Sequence, residues 1–519
     1  LQAVLTNGRW WQRGVIYQVY PRSFADADGD GVGDLRGIRQ RLDFLESLGI
    51  DAVWLSPIFR SPMADFGYDV ADYTDVDPLF GTLDDLDALT ADLHRRGMKL
   101  LLDFVPNHTS DRHPWFVDAS SSRDATQRDW YIWRDPVVDG GPPNGWQSAF
   151  GGSAWEWHAP TGQYYFHSFL KEQPDLDWTN PRVRAAMADV LRFWFARGID
   201  GFRIDVVNLL AKGRELQPAP GGRRQSWGDE RAIQPIIASL RAVADEFAER
   251  VLIGETWLPL KHLVRYYGAD LPGLHLPFNF QLLTLPWQAE AVRRAVVSYE
   301  ALLPPGAWPN WVLGNHDRPR IATRVGSAAQ ARVAAMLLLT LRGTPTLYYG
   351  DEIGMTEASL ARETWRDPQG LRTGTTRDGC RTPMRWDSGP RAGFSTGQPW
   401  LPIDQPPGVD VAGQRDDPDS MLWLQRGLLR LRRAERALNV GEWHDLGSAE
   451  TSLAYLRTDG ERSFLVCLNL AGEPAPAPEA ARRLAGNVVL STLRAADGGA
   501  RFDAGRAMAA DEGLVIRLD

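Results

Sequence analysis

The stretch Gly198-Ile-Asp-Gly-Phe-Arg-Ile-Asp-Val206 sets an arginine two residues before a carboxylate. A guanidinium so close favours the ionised acid by charge pairing, which makes Asp205 a candidate nucleophile with Arg203 as its counter-ion. Isoleucine and phenylalanine alternate here with polar residues, and glycines bracket the start, the pattern of a short buried strand that feeds a loop. Three other segments have the same form, an apolar run ending in residues suited to acid–base chemistry: Asp103-Phe-Val-Pro-Asn107-His108, Gly254-Glu255-Thr-Trp257 and Gly314-Asn315-His316-Asp317. One aspartate after a strand is ordinarily a cap or a turn residue. Four such ends in one chain point to a shared site.

A repeating strand–helix rhythm would position them. Strands are expected at Val15–Tyr20, Ile50–Leu55, Lys99–Val105, Asp200–Val206, Val251–Glu255, Leu274–Phe280, Trp308–Leu313 and Thr344–Leu347. Between them lie helical patterns such as Ile38, Leu42, Leu45 and Leu48 closed by Gly49. Thr82 with Asp85 resembles a capping box, and Asn180-Pro181 places an N-cap before a first-turn proline. Eight alternating units predict an α/β fold, a (β/α)8 TIM barrel spanning 1–106 and 179–440. The loop-rich segment 107–178 reads as an insertion domain after the third strand. Short alternating runs in 441–519 read as a C-terminal all-β domain, a β-sandwich. An open doubly wound sheet is the alternative, and no glycine-rich phosphate fingerprint follows the first strand to support it. In a barrel, the strand C-termini form the active site, which is where the four polar sets fall.

Composition narrows the partners. The 519 residues are 44% hydrophobic and 24% charged, as in soluble globular proteins. A net charge of -9 argues against nucleic acid. Cys380 and Cys467 make neither a disulfide framework nor a zinc cluster. The longest apolar run, Val333–Leu341, is roughly half of a membrane span, so no membrane association is expected and the default location is cytoplasmic. A monomer or small homo-oligomer is expected. The 21 tryptophans, 13 tyrosines and 19 phenylalanines serve either as core or as platforms for sugar rings.

The loop Asp26-Ala-Asp28-Gly-Asp30-Gly-Val32-Gly-Asp34 alternates carboxylates and offers the Val32 carbonyl at its seventh place. These are hard oxygen ligands of the calcium or magnesium type. Gly37 stands where an EF-hand would carry its bidentate glutamate, and a plain Asp/Gly turn is the other reading.

The motifs DFVPNH (103–108), GFRID (201–205), GET (254–256) and NHD (315–317) strongly resemble, in order, those of glycoside hydrolase family 13, the α-amylase family. The resemblance implies Asp205 as nucleophile, Glu255 as general acid/base and Asp317 as the carboxylate that orients the sugar, with retention of configuration. Retention needs the Asp205 and Glu255 carboxyls about 5–5.5 Å apart. His108 and His316 would donate to sugar hydroxyls, unless they are satisfied structural histidines, and Asp103 would be an internal organiser. Asp65-Phe-Gly-Tyr68-Asp69 and Arg377-Asp-Gly-Cys-Arg381-Thr-Pro-Met-Arg-Trp386 resemble the α-glucosidase and oligo-1,6-glucosidase branch. That implies an Asp65–Arg381 pair gripping a terminal glucose, Tyr68 stacked on it, and Phe150 and Phe169 lining the pocket. It also implies exo-cleavage of small oligosaccharides, a structural calcium or magnesium ion and no organic cofactor. Val206 resembles the α-1,6-cleaving members. A transglucosylase or isomerase shares these residues, and Arg318-Pro-Arg320 keeps it open. A non-catalytic binding or transporter-accessory protein would lack carboxylates that are all present here.

Overall fold

The computed structural model describes residues 8–212, 230–404, 406–493, 499–502 and 505–519. Eight parallel strands form its centre: β1 (Ile16–Val19), β2 (Ala52–Leu55), β3 (Lys99–Phe104), β4 (Gly201–Ile204), β5 (Val251–Gly254), β6 (Leu276–Pro277), β7 (Asn310–Val312) and β8 (Thr344–Tyr348). Their order is β6-β5-β4-β3-β2-β1-β8-β7, and a parallel bridge between Asn279 and Trp311 joins the two ends. The expected barrel is therefore present. β6 is shorter than the apolar run 274–280 because Pro277 has no amide proton to continue a ladder, and β7 begins only after Pro309.

Alternation along the strands divides the core in two. Ile16, Ala52, Trp54, Leu101, Val251, Ile253, Leu276 and Val312 form one cluster with Trp11 and Phe278, as the filling of a barrel does. Tyr17, Val53, Leu55, Leu100, Leu102, Phe202 and Leu252 face the other way and join the helices in the main core. The helix Leu83–Arg95 starts on the Thr82–Asp85 capping box. The helix Pro181–Ala196 starts on Asn180, whose side chain accepts from the Arg182 amide. The apolar stripe 38–48 belongs to two helices, Leu35–Gln40 and Leu42–Leu48, broken at Arg41, whose guanidinium reaches the Trp386 ring and the Gly393 carbonyl.

Between β3 and β4 the chain makes a three-stranded antiparallel sheet from Trp133–Arg134, Gln163–Phe166 and Trp155–His158. Beyond the barrel, the described residues form a five-stranded antiparallel sheet, Glu442–Ala449, Ser452–Thr458, Ser463–Asn469, Gly513–Leu518 and Gly486–Ser491. Barrel helices cover one of its faces. Leu453, Tyr455, Phe464, Val466, Leu468 and Val515 join the main core, and Arg457 donates to the Thr340 carbonyl at 2.6 Å. The opposite face packs under Ala477, Ala481 and Met508. Both cysteines are buried and unpaired. Among the described residues, no helix is long and apolar enough to cross a membrane.

Candidate active site

β3, β4 and β5 are neighbours, and their register sets Asp103 beside Arg203 and Arg203 beside Ile253. Three carboxylates therefore converge on one buried guanidinium. Arg203 donates through Nη1 to Asp103 Oδ1 at 2.9 Å and to Asp205 Oδ1 at 2.7 Å, and through Nη2 to Glu255 Oε2 at 2.6 Å. Burial pushes Asp103 up to about 6 and Asp205 well above the ordinary carboxylate range; Arg203 pulls both down, and the neighbouring acids add to the rise. Arg203, expected to hold Asp205 ionised and to belong to the substrate-binding set, also serves Asp103 and Glu255. Shared three ways, one positive charge cannot neutralise three carboxylates, so their mutual repulsion works against ionising all of them together. One ionised and one protonated carboxyl side by side is the requirement of acid-assisted glycoside cleavage.

Both oxygens of Glu255 have protein partners. Besides Arg203, its Oε2 accepts the Val206 amide at 3.0 Å, and its Oε1 accepts the Trp257 indole N–H at 2.7 Å. Val206 lies in the left-handed region, φ 35° and ψ 46°, which is a strained place for a β-branched residue. The strained turn after β4 is what aims that amide at Glu255. Val206 thus contributes backbone as well as a cavity-lining side chain.

Asp317 follows β7 and accepts at Oδ1 from Arg377 Nη1 (3.1 Å) and Arg381 Nη2 (3.0 Å). Burial alone would raise it, but the Arg377 and Arg381 guanidiniums outweigh burial and hold it below the usual carboxylate range. His316 is itself pushed down to about 3 by burial and is neutral. Its Nδ1 lies 2.8 Å from the Gln18 amide nitrogen and its Nε2 2.6 Å from the Tyr68 oxygen. With Gln18 donating to Nδ1, the Nε2 proton goes to Tyr68, whose hydroxyl donates to Asp103 Oδ2 at 3.2 Å. His108 is likewise bonded on both nitrogens, to Asn107 Nδ2 at 3.0 Å and the Tyr68 carbonyl at 2.9 Å. Both histidines border the cavity as expected, but their ring nitrogens hold the protein together rather than waiting free for a sugar.

The expected Asp65–Arg381 pair is replaced by Asp65–Arg377, in which Nη2 donates to Asp65 Oδ1 at 3.0 Å. The same guanidinium bonds Asp367 at 2.7 Å and lies over the Phe150 ring at 5.1 Å. Arg381 sits beneath, 1% exposed, and donates to the His316 carbonyl and to Asp317. The two arginines stand four residues apart in one motif; only the turn Asp378–Cys380 between them decides which one reaches the cavity. Phe150 and Phe169 pack edge to face at 5.4 Å and line the same wall. The cavity measures about 530 Å³ and gathers Asp65, Tyr68, Asp205, Glu255, Asp317 and Arg377. Of the two arginines after Asp317, Arg318 borders it, whereas Arg320 is buried against the Tyr349 carbonyl.

Lys212 was not singled out from the sequence. Its ammonium pairs with Asp175 at 2.8 Å and also bonds Asn107 and the Leu209 carbonyl, which ties the excursion to the loop carrying Asp205. Gln18 was missed too, although a glutamine inside a buried strand was a signal that something polar lay opposite. In the aspartate loop, Asp26, Asp28 and Asp34 bring carboxylate oxygens within 4.8 Å of one another. Asp30 instead accepts the Val32 amide and closes its own turn.

A family model described as the catalytic domain of α-amylase matches residues 18–441. A relative called probable alpha-glucosidase, from Rhizobium meliloti (strain 1021), is 42% identical over 500 residues, covering 90% of each chain. The oligo-1,6-glucosidase of Parageobacillus thermoglucosidasius is 36% identical over 508 residues, 89% of this chain and 90% of its own. The crystal structure of isomaltulose synthase from Klebsiella sp. LX3 superimposes with a TM-score of 0.91 at 32% identity, covering 99% of this chain and all of that one. With its catalytic-type carboxylates gathered at the C-terminal ends of β4, β5 and β7, this chain is an enzyme of the α-amylase family, glycoside hydrolase family 13.

Proposed function

We propose that the protein is a retaining, exo-acting α-glucosidase that releases terminal glucose from short α-1,4- or α-1,6-linked oligosaccharides. The observation that carries this reading is the Asp65–Arg377 pair in the lining of the cavity that holds all three carboxylates; in this reading it closes one end. A chain end fits such a pocket; the middle of a polymer does not. Asp205 attacks the anomeric carbon while Glu255 gives a proton to the departing oxygen, and the covalent glucosyl-enzyme is then hydrolysed with Glu255 acting as base. Two carboxyls gripped by the two terminal nitrogens of one guanidinium are consistent with the short separation of a retaining pair. The glucosidase names of the relatives favour hydrolysis. Arg318 beside the cavity is the feature that favours transfer or isomerisation.

Chromatography of the products from maltose, isomaltose and sucrose tests the reading. Free glucose from the non-reducing end supports it, and conversion of sucrose to an isomeric disaccharide replaces it with the isomerase. Arg377→Ala should raise KM for maltose and isomaltose by about 10-fold or more, since a buried charge-assisted contact is lost. An unchanged KM would remove the closed pocket from the argument.

The loop Asp26–Asp34 holds a divalent cation, calcium or magnesium, in this reading. Three carboxylates so close repel one another, and a cation relieves that repulsion. Bound, it braces the loop after β1 and takes no part in the chemistry. Stripping it should lower stability by about 2–4 kcal/mol when the free ion stands at about 100 to 1,000 times its Kd. Elemental analysis and melting curves before and after chelation check this; no ion and an unmoved melting temperature would leave a turn.

A further inference from the structure

We propose that Trp257 is a positioning residue for acid catalysis, its indole N–H holding the cavity-side oxygen of Glu255 in line with the leaving group. This rests on the reading of Glu255 as the general acid. The two oxygens of Glu255 have different surroundings. Oε2 is taken by Arg203 Nη2 and the Val206 amide, which engage both of its lone pairs. Oε1 accepts the Trp257 N–H at 2.7 Å, and both residues border the cavity. Oε1 is therefore the oxygen that meets substrate.

The indole is itself fixed. One face stacks on Phe280 at 4.3 Å and 26°, and Phe280 stacks in turn on Phe278 at 5.4 Å. The guanidinium of Arg318 lies 4.6 Å from the ring. Held this way, the ring's only polar atom points at Oε1. A protonated Oε1 keeps a lone pair, so it can accept from the indole while its own O–H donates to the glycosidic oxygen. As the C1–O bond breaks, its electron pair stays on that oxygen and the proton moves to it from Oε1. Negative charge then grows on Oε1, and a hydrogen bond to an ionised acceptor is stronger than one to a neutral acceptor. The Trp257 contact strengthens as the transition state is approached, and such contacts raise kcat rather than lower KM.

Trp257→Phe keeps the stacked ring and removes the donor. With maltose, whose sugar leaving group needs the proton, kcat should fall about 10- to 100-fold with KM little changed, and the basic limb of the pH profile should move to higher pH. With 2,4-dinitrophenyl α-glucoside, whose leaving group departs without a proton, formation of the glucosyl-enzyme, read as kcat/KM, should stay within about 3-fold of the parent. Equal losses on both substrates would overturn the proposal and leave a packing role for the indole; so would no loss on either. Glu255→Gln serves as the reference for the underlying reading. If it loses maltose turnover but keeps the formation of glucosyl-enzyme from the dinitrophenyl substrate, Glu255 is the acid, and the Trp257 result stands on its own. If Glu255→Gln shows no such dependence on the leaving group, the acid assignment itself fails.

Discussion

Asp205→Asn should abolish turnover of 4-nitrophenyl α-glucoside, by about 10⁴-fold or more, as loss of a covalent nucleophile does. The fold should survive. Asparagine has the same shape, and Arg203 still faces Asp103 and Glu255, now two acids for one cation instead of three. Burial pushes Asp205 upward, so the wild-type site stores unfavourable charge that the amide removes, and the melting temperature should hold or rise. Binding of maltose, followed by calorimetry, should persist because Asp65, Arg377 and Asp317 are untouched. A variant with more than a few per cent of parental turnover would mean that another group attacks the sugar.

Arg203→Met should have the largest effect on stability. The side chain is 1% exposed and carries the one positive charge that all three carboxylates share. Removing one partner of a buried ion cluster costs about 3–5 kcal/mol. The sign with pH follows from Arg203 pulling Asp103 and Asp205 down against burial. Without it these carboxyls protonate at still higher pH in the folded state, while the unfolded chain titrates near about 4. The variant's deficit should be small below pH 4, where both states are protonated, and should grow as pH rises through the folded values. Denaturation midpoints at several pH values measure this, and a deficit independent of pH would show that Arg203 acts through packing alone. Activity should be lost as well, because removing the guanidinium favours the protonated form of Asp205, which cannot attack.

What the chain alone made legible was periodic or contiguous. The strand–helix alternation announces the barrel because side chains repeat every two residues in strands and every three to four in helices. The carboxylates were readable because each follows a strand whose C-terminal end must open into the site; Asp205, Glu255 and Asp317 needed no knowledge of distant contacts. The Phe150–Phe169 wall was foreseen by family resemblance, and its edge-to-face packing was not.

Four matters were decided only by the tertiary structure. Arg377 rather than Arg381 meets Asp65, since two arginines in one loop are equivalent until the turn between them is folded. His108 and His316 are consumed by Asn107, Gln18 and Tyr68, partners up to 298 residues away in the chain. One face of the C-terminal sheet packs on barrel helices, and strand periodicity reports that a face is buried but not whether a sheet or a barrel helix buries it. Arg203 belongs to three acids at once, because strands β3, β4 and β5 lie side by side. Residue type sets what a group can donate, accept or ionise; which neighbours share its charge depends on strand order and loop closure, and those long-range pairings leave no local periodicity to read.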